Sequence, residues 1–361
     1  MKQLVVHGAL LLVSAGLAYS VWNQDEPQPE KQQAMVDVWG GNQASFTRLS
    51  FEGKTRKVRL EGKKDATGYY YVGVVDKEEA ADPHADAHGH GHEGKDHKDD
   101  AKGPLKPPPA KEPKKETVRF VSVKAGETLI KALTPLKALR AVGKVDAARN
   151  EEFGLDKPEG TLKVTLDGKE HVLTIGGSTP GGSERYAKYQ ANGEVFAISG
   201  DIAQSLMFGD SRLPERDLHG FKNDEVERVK VMKGGKAREL VRLKEKNEGW
   251  ADIASPTKQD ETAGNWMSKL GKLRGSEFVE KPQTAFKPED AIVRVEYSDG
   301  GKQIGFVELY KQPAEPKPDA PASATAPKND YLVRTEWGRW YVKVPAASAE
   351  QIENDLGSVL K

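Results

Sequence analysis

Five of the eight histidines in this chain fall within one short run, Asp82-Pro83-His84-Ala85-Asp86-Ala87-His88-Gly89-His90-Gly91-His92-Glu93-Gly94-Lys95-Asp96-His97. Imidazole is a borderline ligand suited to zinc, nickel and copper, and alternate histidines on a flexible loop can bring three nitrogens to one ion. His88, His90 and His92 have that spacing, His84 and His97 flank them, and Asp86, Glu93 and Asp96 could add oxygens. Nothing in the pattern sets a tetrahedral geometry or a supporting layer of hydrogen bonds. Zinc or nickel held by His84, His88, His90, His92 and His97 would therefore be bound weakly and with little selectivity. The competing reading is a tolerant surface loop in which His, Asp, Ala and Gly have accumulated.

Other candidate chemistry is sparse. Gly176, Gly177, Gly181 and Gly182 suggest a phosphate loop, but the run leads from strand to strand, lacks a Gly-Lys-Ser/Thr ending and opens no helix. Gly-x-Ser-x-Gly and His-Glu-x-x-His are absent, and His171 and His219 have no partner visible in the sequence. His171 reads as a solvated strand residue. Arg212, Glu215, Arg216 and Asp217 read as a solvated linker whose leucines pack down, or as a docking patch. Trp337, Trp340 and Tyr341 could form an aromatic binding face; as strand neighbours Trp340 and Tyr341 point opposite ways, which sends at least one towards the core. With no cysteine there is no thiol catalysis, thiolate metal site or disulfide. With 55 basic and 55 acidic side chains there is no footprint for nucleic acid.

The elements that would position such groups are mostly strands. Leu162, Val164 and Leu166 alternate with polar residues, Asp167-Gly168 turns the chain, and Asn192-Gly193 turns it again before Val195 to Ile198. Strands are also expected at 46–51, 57–60, 69–75 and 117–123, then at 226–232, 240–243, 250–253, 292–297, 304–309, 331–335 and 340–344. Ala125 to Val142 has apolar residues at helical spacing with Pro135 as a break, and helices are expected at 202–208, at 259–273 with Thr257 as cap, and at 348–360. Residues 78–116 and 312–328 are too poor in large apolar groups to fold and read as solvated insertions.

The N-terminus carries the compartment signal. Leu4 to Trp22 is an uncharged, mostly apolar run preceded by Lys2 and followed by Asp25 and Glu26, which suits an uncleaved anchor with the bulk exported. A cleaved signal peptide, with Ala18-Tyr19-Ser20 as its site, is the alternative.

Phe153-Gly154-Leu155-Asp156-Lys157-Pro158, Ile175-Gly176-Gly177, the Tyr186 strand and Leu213-Pro214-Glu215-Arg216-Asp217-Leu218 resemble a bacterial domain of unknown function, number 4340, over roughly Ala125 to Phe221. The resemblance implies a membrane-anchored envelope protein, often beside an ABC-type transport system of the gliding-motility kind, and implies no catalytic residues. A repeat is suggested inside the chain. Glu127, Thr128, Leu136, Leu139, Arg140 and Val145 meet Glu261, Thr262, Leu270, Leu273, Arg274 and Val279 at an offset of 134, and Tyr186 meets Tyr331 at 145.

The expected fold class is α+β, two tandem related units of antiparallel β-meander plus helix after an N-terminal transmembrane helix. Residues 1–23 would be anchor or signal, 24–43 a spacer, 44–221 the first unit and 222–361 the second. The expected function is a non-enzymatic, membrane-anchored extracytoplasmic interaction module, with the bulk in the periplasm, the membrane engaged through residues 4–22, and an envelope or transporter protein as partner. It needs no cofactor. The alternative is a metal-binding or metal-buffering envelope protein acting through the His-rich loop, with an enzyme third and a polysaccharide binder also open.

Overall fold

The computed structural model describes residues 35–79, 114–243, 249–314 and 328–361. β1 (Val36–Trp39) stands apart from the large sheets and pairs only with β6 (Leu136–Ala138). β2 (Phe46–Gly53), β3 (Arg56–Asp65), β4 (Gly68–Glu79) and β5 (Lys114–Ser122) form one antiparallel meander, and β8 (Gly160–Leu166), β9 (Lys169–Ser178), β10 (Glu184–Tyr189) and β11 (Glu194–Ser199) form another. β2 pairs with β8, and β7 (Arg140–Lys144) adds to β11, so nine strands run in the order β5-β4-β3-β2-β8-β9-β10-β11-β7. Helices α1 (Lys124–Leu133), α2 (Gly200–Met207) and α3 (Gly209–Arg212) accompany this sheet.

A second sheet has the order β14-β13-β12-β16-β17-β18-β19-β15. Its strands are β12 (Arg228–Lys233), β13 (Lys236–Arg242), β14 (Trp250–Asp252), β15 (Glu277–Val279), β16 (Val293–Asp299), β17 (Lys302–Pro313), β18 (Asn329–Thr335) and β19 (Tyr341–Val344). Helices α4 (Glu261–Gly271) and α5 (Ala346–Val359) pack together on it.

Local chemistry explains the elements. In β8 the alternating Leu162, Val164 and Leu166 are buried, and Asp167 (φ 48°) and Gly168 (φ 77°) both take the left-handed conformation that a two-residue hairpin requires. α4 is capped by Asp260, whose Oδ1 accepts the Ala263 N–H at 2.9 Å. The helix buries Ala263, Trp266, Met267 and Leu270, with the Trp266 indole donating to the Ile352 carbonyl on α5 at 3.0 Å.

Three expectations are corrected. The α+β class gives way to an architecture of antiparallel sheets, in which 47% of the described residues are strand and 22% helical. The reason is that strands extend beyond their apolar alternation, because ladder hydrogen bonds hold polar residues as readily as apolar ones: β4 and β5 pair out to Glu79 and Lys114, inside the expected insertion. Helix α1 stops before Pro135, and Leu136, expected on a helical face, lies in β6. The offset of 134 therefore sets a strand residue, Leu136, against Leu270 inside α4. Among the described residues no helix is long and apolar enough to cross a membrane. The apolar run at 4–22, expected to span, lies outside the described residues.

The two units meet at named contacts. Arg339, in the turn after β18, reaches Asp65 at 3.0 and 3.2 Å and Thr67 at 2.5 Å in the β3–β4 turn, and lies 4.8 Å over the Tyr70 ring. Arg119 on β5 pairs with Glu280 at 3.1 Å, and Phe278 on β15 packs against the first core.

Candidate functional site

The linker between the units is tied to the start of α1. Its Glu215 N–H donates to the Val121 carbonyl at 2.8 Å, and its carboxylate accepts the Lys124 N–H at 3.0 Å, an anion placed on a helix N-terminus. Lys124 Nζ pairs with Asp217 at 2.9 Å, and Leu213 is buried. The charges singled out in the linker are thus used locally, and its leucine packs down. Gly220 follows because only a glycine fits: a Cβ there would lie 2.6 Å from the Trp337 ring.

His219 is fixed by this path. Its Nδ1 lies 3.0 Å from Glu336 Oε1, while Glu336 Oε2 accepts the Phe306 N–H at 2.8 Å. A carboxylate only accepts, so Nδ1 carries a proton and donates it to Glu336. The ring lies between Phe221 and Tyr297, at 4.7 and 4.8 Å between centroids. Burial, then the nearby Glu336 carboxylate, push the Tyr297 hydroxyl well above its ordinary pKa.

His219 lines a cleft of about 990 Å³ between the linker and α4. One wall is a polar stripe of α4 formed by Glu261, Gly264, Asn265, Ser268, Gly271 and Lys272, and the floor is apolar, with Val226, Leu270, Tyr297 and Val307. Lys124, Lys222, Arg242, Lys272 and Arg274 contribute positive charge to the lining against Asp217 and Glu261. An oriented imidazole, an apolar floor and a cationic rim can receive an anionic, partly apolar ligand.

The remaining candidates are closed. His171, expected to be solvated, is buried: the sheet packs it 4.9 Å from the Trp39 ring and 2.7 Å from the Tyr189 hydroxyl, and burial lowers its pKa. Gly176 and Gly177 bind no phosphate-type loop; Gly177 N–H donates to the Phe153 carbonyl, and a Cβ at 176 would sit 2.3 Å from that oxygen. Trp340 and Tyr341 are half-buried, Trp340 against Phe278 and Tyr341 against Phe286 and Tyr310. Glu308 is buried among Arg294, Arg334 and the Tyr310 hydroxyl as an internal ion network. The histidines at 84, 88, 90, 92 and 97 lie outside the described residues. Among the described residues no three His, Asp or Glu side chains are grouped to hold a metal.

Residues 123–291 match the model of a family described as a domain of unknown function, DUF4340. The chain carries a domain of this family. The DUF4340 segment contains the Phe153–Gly177 contact, the linker, His219 and α4, while Glu336 lies outside it. No curated protein and no solved structure matches the chain. The pairing of His219 with Glu336 was not legible from spacing, since 117 residues separate them.

Proposed function

We propose that this protein is a non-enzymatic binding module of the bacterial envelope that holds a protein partner in the cleft between the linker and α4. The observation that carries this reading is the cleft itself, about 990 Å³ beside the seam of two sheet units. An apolar floor with a charged rim is the usual composition of a recognition surface. The finer role, an accessory to an ABC-type transport or gliding-motility system with its bulk in the periplasm, rests on the family resemblance.

The test places a photo-crosslinking side chain at Asn265, which is exposed on the α4 wall, and a control at Glu170, exposed on the first sheet. Crosslinking in the native cell is expected to yield one envelope protein from position 265 and not from 170. Protease treatment of spheroplasts checks the compartment. Crosslinks from 170 alone, or from neither position, would overturn the reading.

A further inference from the structure

The first unit shows what fills the corresponding place there. Ladder partners relate the two units: Leu49 pairs with Leu60 and Val164, and Val229 with Leu240 and Tyr297, giving spacings of 180 residues for β2/β12 and β3/β13 and 133 for β8/β16. Leu173 with Tyr189 and Val307 with Thr335 give 146 for β10/β18 rather than the 145 suggested by the tyrosines. Ala141 on β7 and Phe278 on β15 occupy matching edge positions, a spacing of 137. At these spacings Trp39 corresponds to His219, Tyr189 to Thr335, and Leu136 to Leu273.

In the first unit these positions are joined. Trp39 pairs with Leu136 in the β1–β6 ribbon, its indole donates to the Leu133 carbonyl at 2.8 Å, and its ring packs 5.4 Å from Tyr189. In the second unit neither counterpart is a strand, and the cleft opens between them. Of the residues lining the cleft, Leu218, His219, Phe221 and Arg274 have N–H groups with no partner among the described residues. A row of open main-chain groups in a cleft is a template for an added strand.

Building on the binding-module reading, we infer that the occupant is an extended acidic peptide of a partner protein, pairing with the main chain at 218–221 and at Arg274 in place of the missing ribbon. Charge selects the peptide: with Lys124 and Asp217 paired to each other, Lys222, Arg242, Lys272 and Arg274 line the cleft against Glu261. Size agrees. The 11 residues of α4 span roughly 16 Å, room for about five residues of strand. Gly264 keeps the wall low, since a Cβ there would meet nothing within 4 Å.

Fluorescence anisotropy on the full chain, with a labelled peptide of alternating glutamate and valine, tests this. The peptide is expected to bind saturably, with at least tenfold loss when lysine replaces glutamate, when alternate amides are N-methylated, or in Gly264→Leu. That variant blocks the wall with a better helix former, so it retains the fold, as circular dichroism would check. Absence of binding, indifference to N-methylation or charge, or full binding by Gly264→Leu would overturn the inference. Self-association of the chain that Gly264→Leu abolishes would overturn it in favour of a second copy as occupant. A crosslinked envelope partner from Asn265 without peptide binding would overturn it and leave the module reading standing.

Discussion

Arg238 stands on β13 where the first unit has the buried Val58, and one guanidinium there ties four elements together. Nε donates to Asp252 on β14 at 2.8 Å, Nη2 to Asp260 at the start of α4 at 2.7 Å, and Nη1 to the Val359 carbonyl ending α5 at 2.8 Å. Arg238→Met keeps an apolar stem and removes all three. Hydrogen bonds to charged groups are worth about 1.5–3 kcal/mol each when well shielded. Here the Asp252 and Asp260 side chains are 35% and 25% exposed and regain water, so about 1 kcal/mol per bond is the discounted figure. The expected loss is about 2–3 kcal/mol, or roughly 1 M in urea midpoint. Tryptophan fluorescence reports it, since Trp250, Trp266, Trp337 and Trp340 all lie in the second unit.

The same variant has a signature in acid. The Arg238 hydrogen bond holds the Asp252 pKa below its ordinary value, and the Ala263 amide, then Arg238, do so for Asp260. Lowered folded-state values mean stability that is complete above the ordinary aspartate pKa of about 3.9 and is lost as pH falls below it. Arg238→Met should flatten that acid slope, removing chiefly the Asp252 part while the Ala263 part persists. A loss under about 0.5 kcal/mol with the acid slope unchanged would refute the idea that the guanidinium joins these elements.

Gly176→Ala should cost about 1–3 kcal/mol in the same urea assay, because its Cβ would meet the Phe153 carbonyl oxygen at 2.3 Å and backbone must shift. Arg339→Ala should loosen the seam by about 1 kcal/mol, read as faster tryptic cleavage between the units at unchanged core stability. The Arg339 hydrogen bond holds Asp65 well below the usual carboxylate range, so this coupling is present at neutral pH and lost as pH falls below about 3.9. Zinc or nickel binding by the full chain, followed by calorimetry, should be micromolar and vanish when residues 80–113 are replaced by a short turn; binding that survives would place the metal elsewhere.

Much of the sheet architecture was readable from local pattern. Leu162, Val164 and Leu166 with Asp167-Gly168 specify a hairpin because period-two burial and a left-handed turn pair are both local. The α4 helix was legible to within two residues at each end, but its cap is Asp260 rather than Thr257, a choice made by which carboxylate reaches the Ala263 amide. β1, β6, β7 and β15 are three to five residues long, too short for alternation to emerge, and exist because a neighbouring segment offers them a ladder. The repeat offset was misread where chance identities in α1 and α4 outweighed the ladders.

What the amino-acid order alone determined is the set of local commitments: strands from alternation, turns from Asp-Gly and Asn-Gly, the stop before Pro135, and the run of sequence that concentrates histidine. Each depends on steric and solvation rules that act over a few residues. Tertiary structure decided the rest. It buried His171 beside Trp39, brought Glu336 across 117 residues to orient His219, and left the second unit without the ribbon that closes the first. Those outcomes depend on which distant segments the two sheets bring to one edge, and no local pattern carries that information.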